Sequence, residues 1–263
     1  MIPLRDENPT QTTPYVVYIL LAMNVFVFLL QLTGMIGHLT MVPYSVMNDV
    51  RVELVTDRAG RPLADQHGNP LVKKLPDVGP HPQWLTIFTS MFMHGGLLHI
   101  GSNMLYLWIF GNNIEDALGH FKFLLFYLLC GVAAAFAHIW ASQHGIQPFI
   151  QTLGASGAIA GVLGAYMVLF PRTRVHTLVA LGWYWTTAEI PAVYLLGVWF
   201  LLQLIPGMSM QVGGGVAYWA HIGGFVAGAV ILLLLGRNRV LRNRRPLRRR
   251  YNGDRPYPFR PWE

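Results

Sequence analysis

The feature that most limits this chain is a series of apolar runs long enough to cross a bilayer. Inside hydrocarbon every backbone N–H and C=O must be satisfied internally, so such runs fold as helices or as strands of a closed barrel. The runs are Tyr15 to Ile36, Leu97 to Ile114, Phe121 to Ala141, Gly154 to Phe170, Ile190 to Ile205 and Val216 to Leu235. The fifth is the least clean, with Thr177 to Trp185 as a lead-in at the interface. None shows the alternating ten-residue pattern of a barrel strand. The first is too long for a signal-peptide core and lacks a small-residue cleavage site, so it reads as a retained helix. The expected fold is an all-α membrane protein of six transmembrane helices.

Composition agrees. Only 12% of the residues are charged and 53% are apolar, against about 25% charged in an ordinary soluble domain. The 27 glycines suit close helix packing in lipid. The single cysteine, Cys130, lies in an apolar run and reads as a packing residue.

Charge sets the expected topology. Six crossings put both termini on one side. With that side cytoplasmic, it holds Arg5, Lys122, Arg172, Arg174 and the ten arginines from Arg237 to Arg260, fourteen of the nineteen positive residues. The other five lie in a long first loop, about 37–90, which also carries acids and translocates regardless of charge. The expected division is a cytoplasmic segment 1–14, a membrane domain 15–236 and a basic cytoplasmic tail 237–263. Beside a membrane helix, that tail is expected to meet anionic lipid rather than nucleic acid. The Gly-, Pro- and Asp-rich stretch Asp57 to Pro70 reads as a turn-rich excursion. No separate domain and no internal repeat is expected in that loop.

Polar groups inside spans are costly and ask for a reason. His99 and Asn103 are four apart on the second run, hence on one helix face. Ser156 stands in Gly154-Ala155-Ser156-Gly157 at the start of the fourth run, and His221 lies near the start of the sixth. In the expected topology these three runs all enter from the outer side, so the four groups share one layer. A serine in a membrane helix is commonly a small packing residue, and a lone histidine commonly bonds a neighbouring helix. Together, however, they offer a nucleophile and a neutral imidazole to take its proton. The twelve acids fall at the termini, in the first loop, or at the inner side as Glu115, Asp116 and Glu189. None belongs to the outer half of a span, which argues for a dyad rather than a triad. His99, Asn103 and backbone amides are candidate oxyanion donors. Gly157, Gly161 and Ala165 on one run, and Ala220, Gly224 and Gly228 on another, form small-residue stripes that allow close approach.

Other chemistries fit less well. A metalloprotease could draw on His94, His99, His138 and His221, but no H-E-x-x-H is present and no acid stands beside them. Ala158 occupies the position where a soluble hydrolase elbow needs glycine. No inverted symmetry suggests a transporter.

The segment from His94 to Asn103, the Gly154–Gly157 start of the fourth run, and Ala220-His221 followed by Gly224 and Gly228 resemble the rhomboid proteases in content and order over about 82–235. The resemblance implies a rhomboid-like bundle, an intramembrane serine endopeptidase with Ser156 as nucleophile and His221 as base, and an oxyanion hole of His99, Asn103 and the Ser156 amide. His94 matches a family histidine with a structural role. Gly154 and Gly157 match residues that shape the nucleophile's surroundings. Transmembrane protein substrates are implied, with no metal or organic cofactor, and a bacterial inner membrane is the expected location. Two departures stand out: Leu85 follows Trp84 where many members have arginine, and Ala160 occupies a place where some have tyrosine under the histidine. A catalytically inactive relative that binds membrane clients is the alternative.

Overall fold

The computed structural model describes residues 1–34, 36–76, 79–208 and 217–243. Strand β1 (Ile2–Asp6) precedes helix α1 (Tyr15–Leu32). Helix α2 (Pro43–Asn48), strands β2 (Val52–Leu54) and β3 (Val72–Lys74), and helix α3 (Thr86–Ser90) follow. Next come α4 (Leu97–Tyr106), a π-helical segment Leu107–Gly111 and α5 (Asn112–Leu118), whose junctions keep helical dihedrals. Helix α6 (His120–Ala141) and helix α7 (Ser156–Leu169) are followed by strands β4 (Arg174–Leu181) and β5 (Tyr184–Pro191). Helices α8 (Ala192–Met208), α9 (Tyr218–Leu235) and α10 (Arg237–Asn243) complete the described chain. The expected start of the sixth run at Val216 and the tail from 244 onward lie outside the described residues.

The protein is mostly helical. Among the described residues, three helices, α1, α6 and α9, are long and apolar enough to cross a membrane by length and composition. Their outward faces carry Phe26, Leu29, Phe136, Trp140, Leu233 and Leu234, all exposed. Such a belt suits a protein whose solvent is hydrocarbon.

Helix α7 is the axis of the bundle. Its 14 residues are buried almost throughout, and it spans roughly 20 Å at 1.5 Å per residue. Between helices already in lipid, association rests on van der Waals packing and small residues rather than on expelled water. That is what α7 and α9 show. A Cβ at Gly224 or at Gly228 would run into the Gly157 or the Gly161 carbonyl respectively, closer than real Cβ atoms come. Gly164 stands in the same relation to the Phe225 carbonyl. Across the third side, a Cβ on Gly157 would lie 2.6 Å from the Ala134 Cβ of α6, and Gly161 faces Cys130. The two stripes read from the sequence therefore meet, backbone against backbone.

The end of α7 away from Ser156 is tied down by polar groups. Tyr166 donates from its hydroxyl to Asp6, and Asn113 donates to the same carboxylate oxygen at 2.8 Å. Arg237 donates to the Val168 and Leu169 carbonyls, neutralising the C-terminal end of α7. Fully buried Glu115 accepts from the Val16 and Val17 amides at 2.9 and 2.8 Å, capping α1 from a distant part of the chain. Asp116 accepts from the Gln11 and Thr12 amides.

Two expectations are overturned. The chain is not all-α: β1, β4 and β5 form a three-stranded antiparallel sheet, with β4 and β5 joined through a Gly182-Trp183 turn. Thr177 to Trp185 is part of this hairpin, not a helical lead-in. Val175 and Thr177 alternate inward, and Gly182 has φ +65°, as a two-residue hairpin turn requires. Apolar content disguised a strand pair as a continuation of a span. The first loop does contain a repeat. Thr56 to Leu63 and Ala64 to Leu71 share the pattern Asp-x-x-Gly-x-Pro-Leu and fold alike. In each, the Asp Oδ1 accepts backbone N–H groups two and four residues on, and a glycine at positive φ closes the turn. The backbone bonds from Val55 N to Leu71 O, Leu71 N to Leu63 O and Leu63 N to Val55 O close a triangle. The amides of Arg61 and Asn69, foremost among these donors, hold Asp57 and Asp65 respectively below the usual carboxylate range. Eight-residue units of turn chemistry have no apolar periodicity, so hydrophobic patterning does not mark the repeat.

Candidate active site

Helices α4, α7 and α9 all begin at the same end of the bundle, and their first turns line a cleft of about 770 Å³. Ser156 is the first residue of α7, and His221 sits in the first turn of α9. The seam described above brings Ser156 Oγ to 2.8 Å from His221 Nε2. His221 is further ordered from α8: its Nδ1 lies 2.8 Å from Gln203 Oε1, and the Trp199 ring packs at 5.9 Å between centroids, tilted by 34°. Trp199 thus supplies an aromatic neighbour where Ala160 cannot. An amide oxygen only accepts, so Nδ1 carries the proton and Nε2 presents its lone pair to the serine.

His99 and Asn103 face the same cleft from α4. The Gly95 amide donates to His99 Nδ1 at 3.2 Å, which leaves the proton on Nε2. A Cβ on Gly154 would lie 2.9 Å from that Nε2 and 3.6 Å from Ser156 Oγ. Gly154 has φ +125°, suited to glycine, and keeps the space between the two groups clear. Asn103 is buried, and its Nδ2 has no hydrogen-bond partner among the described residues. An unsatisfied buried amide costs about 1–3 kcal/mol, and this one borders the same cleft as Ser156. The site residues named from the sequence are thus all brought to one cleft.

His94 is placed differently. It is buried behind His99, with ring centroids 5.2 Å apart, and its backbone exchanges two hydrogen bonds with Gln31 of α1. His138 lines the cleft from α6 and bonds Thr152 at 2.9 Å. These histidines do not assemble with His99 and His221 into a metal-binding group among the described residues. Among the described residues such ligand atoms gather at Glu7, His176 and Glu189 on the sheet, within 4.8 Å of one another, where Arg174 already pairs with Glu189. That cluster lies at the other end of α7.

Gln203 is not among the residues singled out from the sequence, although a glutamine inside an apolar run is a visible signal.

A bundle of membrane helices that presents a serine bonded to a histidine, with unspent donors opposite, defines a membrane protein with a hydrolase-like site. Comparison with known proteins gives the family: the Rhomboid domain model matches residues 81–238, more than half of the chain. The chain belongs to the rhomboid family and is an integral membrane protein. It is 30% identical over 152 residues to the mitochondrial rhomboid protein 1 of Saccharomyces cerevisiae, covering 56% of this chain and 40% of that relative. It is 29% identical over 167 residues to the chloroplastic rhomboid-like protein 11 of Arabidopsis thaliana, covering 59% and 54%. With the rhomboid protease GluP of Bacillus subtilis it shares 32% over 149 residues, 57% of this chain and 26% of the relative. The chain thus spans about a quarter to a half of the length of these relatives.

Proposed function

We propose that this protein is an intramembrane serine endopeptidase that cuts peptide bonds in or near the transmembrane segments of other membrane proteins. The observation that carries the reading is the 2.8 Å contact of Ser156 Oγ with His221 Nε2, facing a vacant space bounded by His99, Asn103 and Gly154. In this mechanism Ser156 Oγ adds to the scissile carbonyl carbon while its proton passes to His221 Nε2. The carbonyl oxygen becomes an oxyanion that accepts from His99 Nε2–H, the Asn103 amide and the Ser156 backbone N–H. Collapse expels the amine, which takes the proton from His221. Water, deprotonated by the same imidazole, then frees the acyl group and returns the hydrogen to Ser156. No step calls on a metal or cofactor.

The domain division and orientation belong to the same reading. Residues 15–236 form the membrane domain with six crossings, counting α4 to α5, α7 and α8 as spans beside the three long helices. The 37–90 loop lies outside. The 1–14 segment and the 237–263 tail are cytoplasmic, the tail resting on anionic lipid, in a bacterial inner membrane. A cysteine at Gly68, in a Cys130→Ala background, then reacts with an impermeant thiol reagent in intact cells while one at Gly253 does not. The reverse pattern would turn the topology over.

The activity is tested with the purified protein, a panel of single-span substrates and a fluorophosphonate probe. Cleavage and labelling are expected in the wild type, with Ser156→Ala and His221→Ala each losing activity by roughly 10⁴-fold or more at unchanged melting temperature. Normal turnover by Ser156→Ala would end the reading, and loss of labelling with retained client binding would favour an inactive relative.

A further inference from the structure

We propose that Gln203 is the positioning residue of the catalytic histidine, a neutral third member contributed by α8 that fixes the tautomer and ring plane of His221. The inference rests on the serine protease reading and deepens it.

The argument begins with what Gln203 can bond. Its amide has one accepting and one donating end, and the two are told apart here by their neighbours. The Nε2 end faces the Trp199 carbonyl at 3.4 Å, one turn earlier on α8, and a carbonyl only accepts. The Oε1 end therefore faces His221 Nδ1, at 2.8 Å. That assignment forces Nδ1 to be the protonated nitrogen. Without it, a neutral imidazole can hold its proton on Nε2, where it would point at Ser156 Oγ and be useless as a base.

The packing supports the same role. Trp199 and Gln203 are four apart, so they lie on one face of α8, and both meet the same imidazole, one on its ring and one on its nitrogen. Trp199 also stacks on Phe225, one turn beyond His221 on α9. Helix α8 therefore grips the histidine at two points, while α7 and α9 set its distance from Ser156.

A neutral amide also suits the place. A carboxylate there would sit in the membrane domain as a buried charge whenever the imidazole is neutral. Glutamine orients the ring without that cost. It also leaves the imidazolium less stabilised than an aspartate would, so the proton is more readily handed on to the leaving amine. The other titratable groups facing His221 around the cleft are His99 from α4 and His138 from α6, with Tyr106 lining the same cleft. Among the described residues no acidic side chain lines it.

The test uses the full-length protein in detergent, read by three measurements: the rate of fluorophosphonate labelling across pH, the melting temperature, and ¹⁵N NMR of labelled histidine. In labelling, Ser156 Oγ bonds to phosphorus, fluoride leaves, and the serine proton passes to His221. Gln203→Leu is expected to slow labelling by roughly 10- to 100-fold at unchanged melting temperature. Its His221 resonances should shift from the Nδ1–H form toward a mixture. Gln203→Glu should label within about threefold of wild type at alkaline pH, with the acid limb of its profile moved up by about one pH unit, because a carboxylate holds the imidazolium. Gln203→Leu labelling at the wild-type rate would overturn the proposal. So would equal slowing of both variants with an unmoved pH profile, the mark of a packing role. If Gln203→Leu fails to fold, the profile of Gln203→Glu and the wild-type tautomer decide: a wild-type His221 protonated on Nε2 defeats the inference. A wild type that never labels at Ser156 defeats the protease reading instead, while the NMR measurement still reports on the bond from His221 to Gln203.

Discussion

The two ends of helix α7 are built from similar polar residues and treat them in opposite ways. At the far end, Asp6 accepts from Asn113 and Tyr166, Glu115 accepts from two backbone amides, and Arg237 covers the last carbonyls. At the cleft end, Asn103 keeps a buried amide with no partner among the described residues, and Gly154 leaves a space between His99 and Ser156 open. A polar group within a membrane protein is thus no sign of function by its presence alone. The informative combination is unused bonding capacity beside Ser156: Asn113 Oδ1 also lacks a partner among the described residues, but it stands with Asp6 and Asn112. Where a group is bonded on both sides, it ties elements together. Where a donor is left over beside Ser156, it is free to serve the proposed oxyanion.

The seam between the two ends is the most sensitive point of this contrast. Gly228→Ala would drive a methyl into the Gly161 backbone carbonyl, which is fixed in its own helix and cannot swing aside. Overpacking commonly costs about 1–3 kcal/mol, and this contact is expected to lie at or above the top of that range. Both ends should suffer: the melting temperature falls and Ser156 labelling falls with it. A variant with normal melting and labelling would show that α7 and α9 are looser than the packing described.

Asn103→Ala separates the ends most cleanly. Losing one oxyanion donor costs about 2.7–4 kcal/mol of barrier, or roughly 10²–10³ in rate. His99 and the backbone amide remain, so an effect toward or below the low end is expected, seen in kcat rather than KM. The melting temperature should hold, because the amide donates to no partner among the described residues. A destabilised but fully active variant would make Asn103 a tie like those at the far end.

Glu115→Ala is the mirror experiment. It strands the Val16 and Val17 amides, and loss of hydrogen bonds to a charged group costs about 1.5–3 kcal/mol. The expected result is a lower melting temperature with the labelling rate of the folded fraction intact. A loss of rate at unchanged melting would show that the two ends communicate and that the contrast is drawn too sharply.

Much of this site could be read directly from the residues. His99, Asn103, Ser156 and His221 announced themselves because a polar group in an apolar run is conspicuous, and the glycine stripes implied the close approach that joins two of them. Gln31 and Gln203 are equally visible polar residues, and His138 stood out only as a possible metal ligand, since a linear sequence does not say which polar residues face one another. The hairpin of β4 and β5 was hidden by its apolar content. Its pairing with Ile2–Asp6 joins residues more than 160 positions apart, which no local pattern encodes.

What the sequence by itself determined are the properties that depend on near neighbours: the helical runs, the polar groups four residues apart on one face, the turns closed by Gly60 and Gly68. Tertiary structure alone decided which groups share a hydrogen bond. Gln203 meets His221, and Glu115 caps a helix that begins a hundred residues earlier, only because α8 and α5 pack where they do. The physical reason is range. Backbone propensity and hydropathy act over a few residues, whereas a hydrogen bond between side chains fails if its partners are displaced by an ångström. That precision comes from close-packed helix faces, here glycine against backbone, and it exists only once the chain has folded.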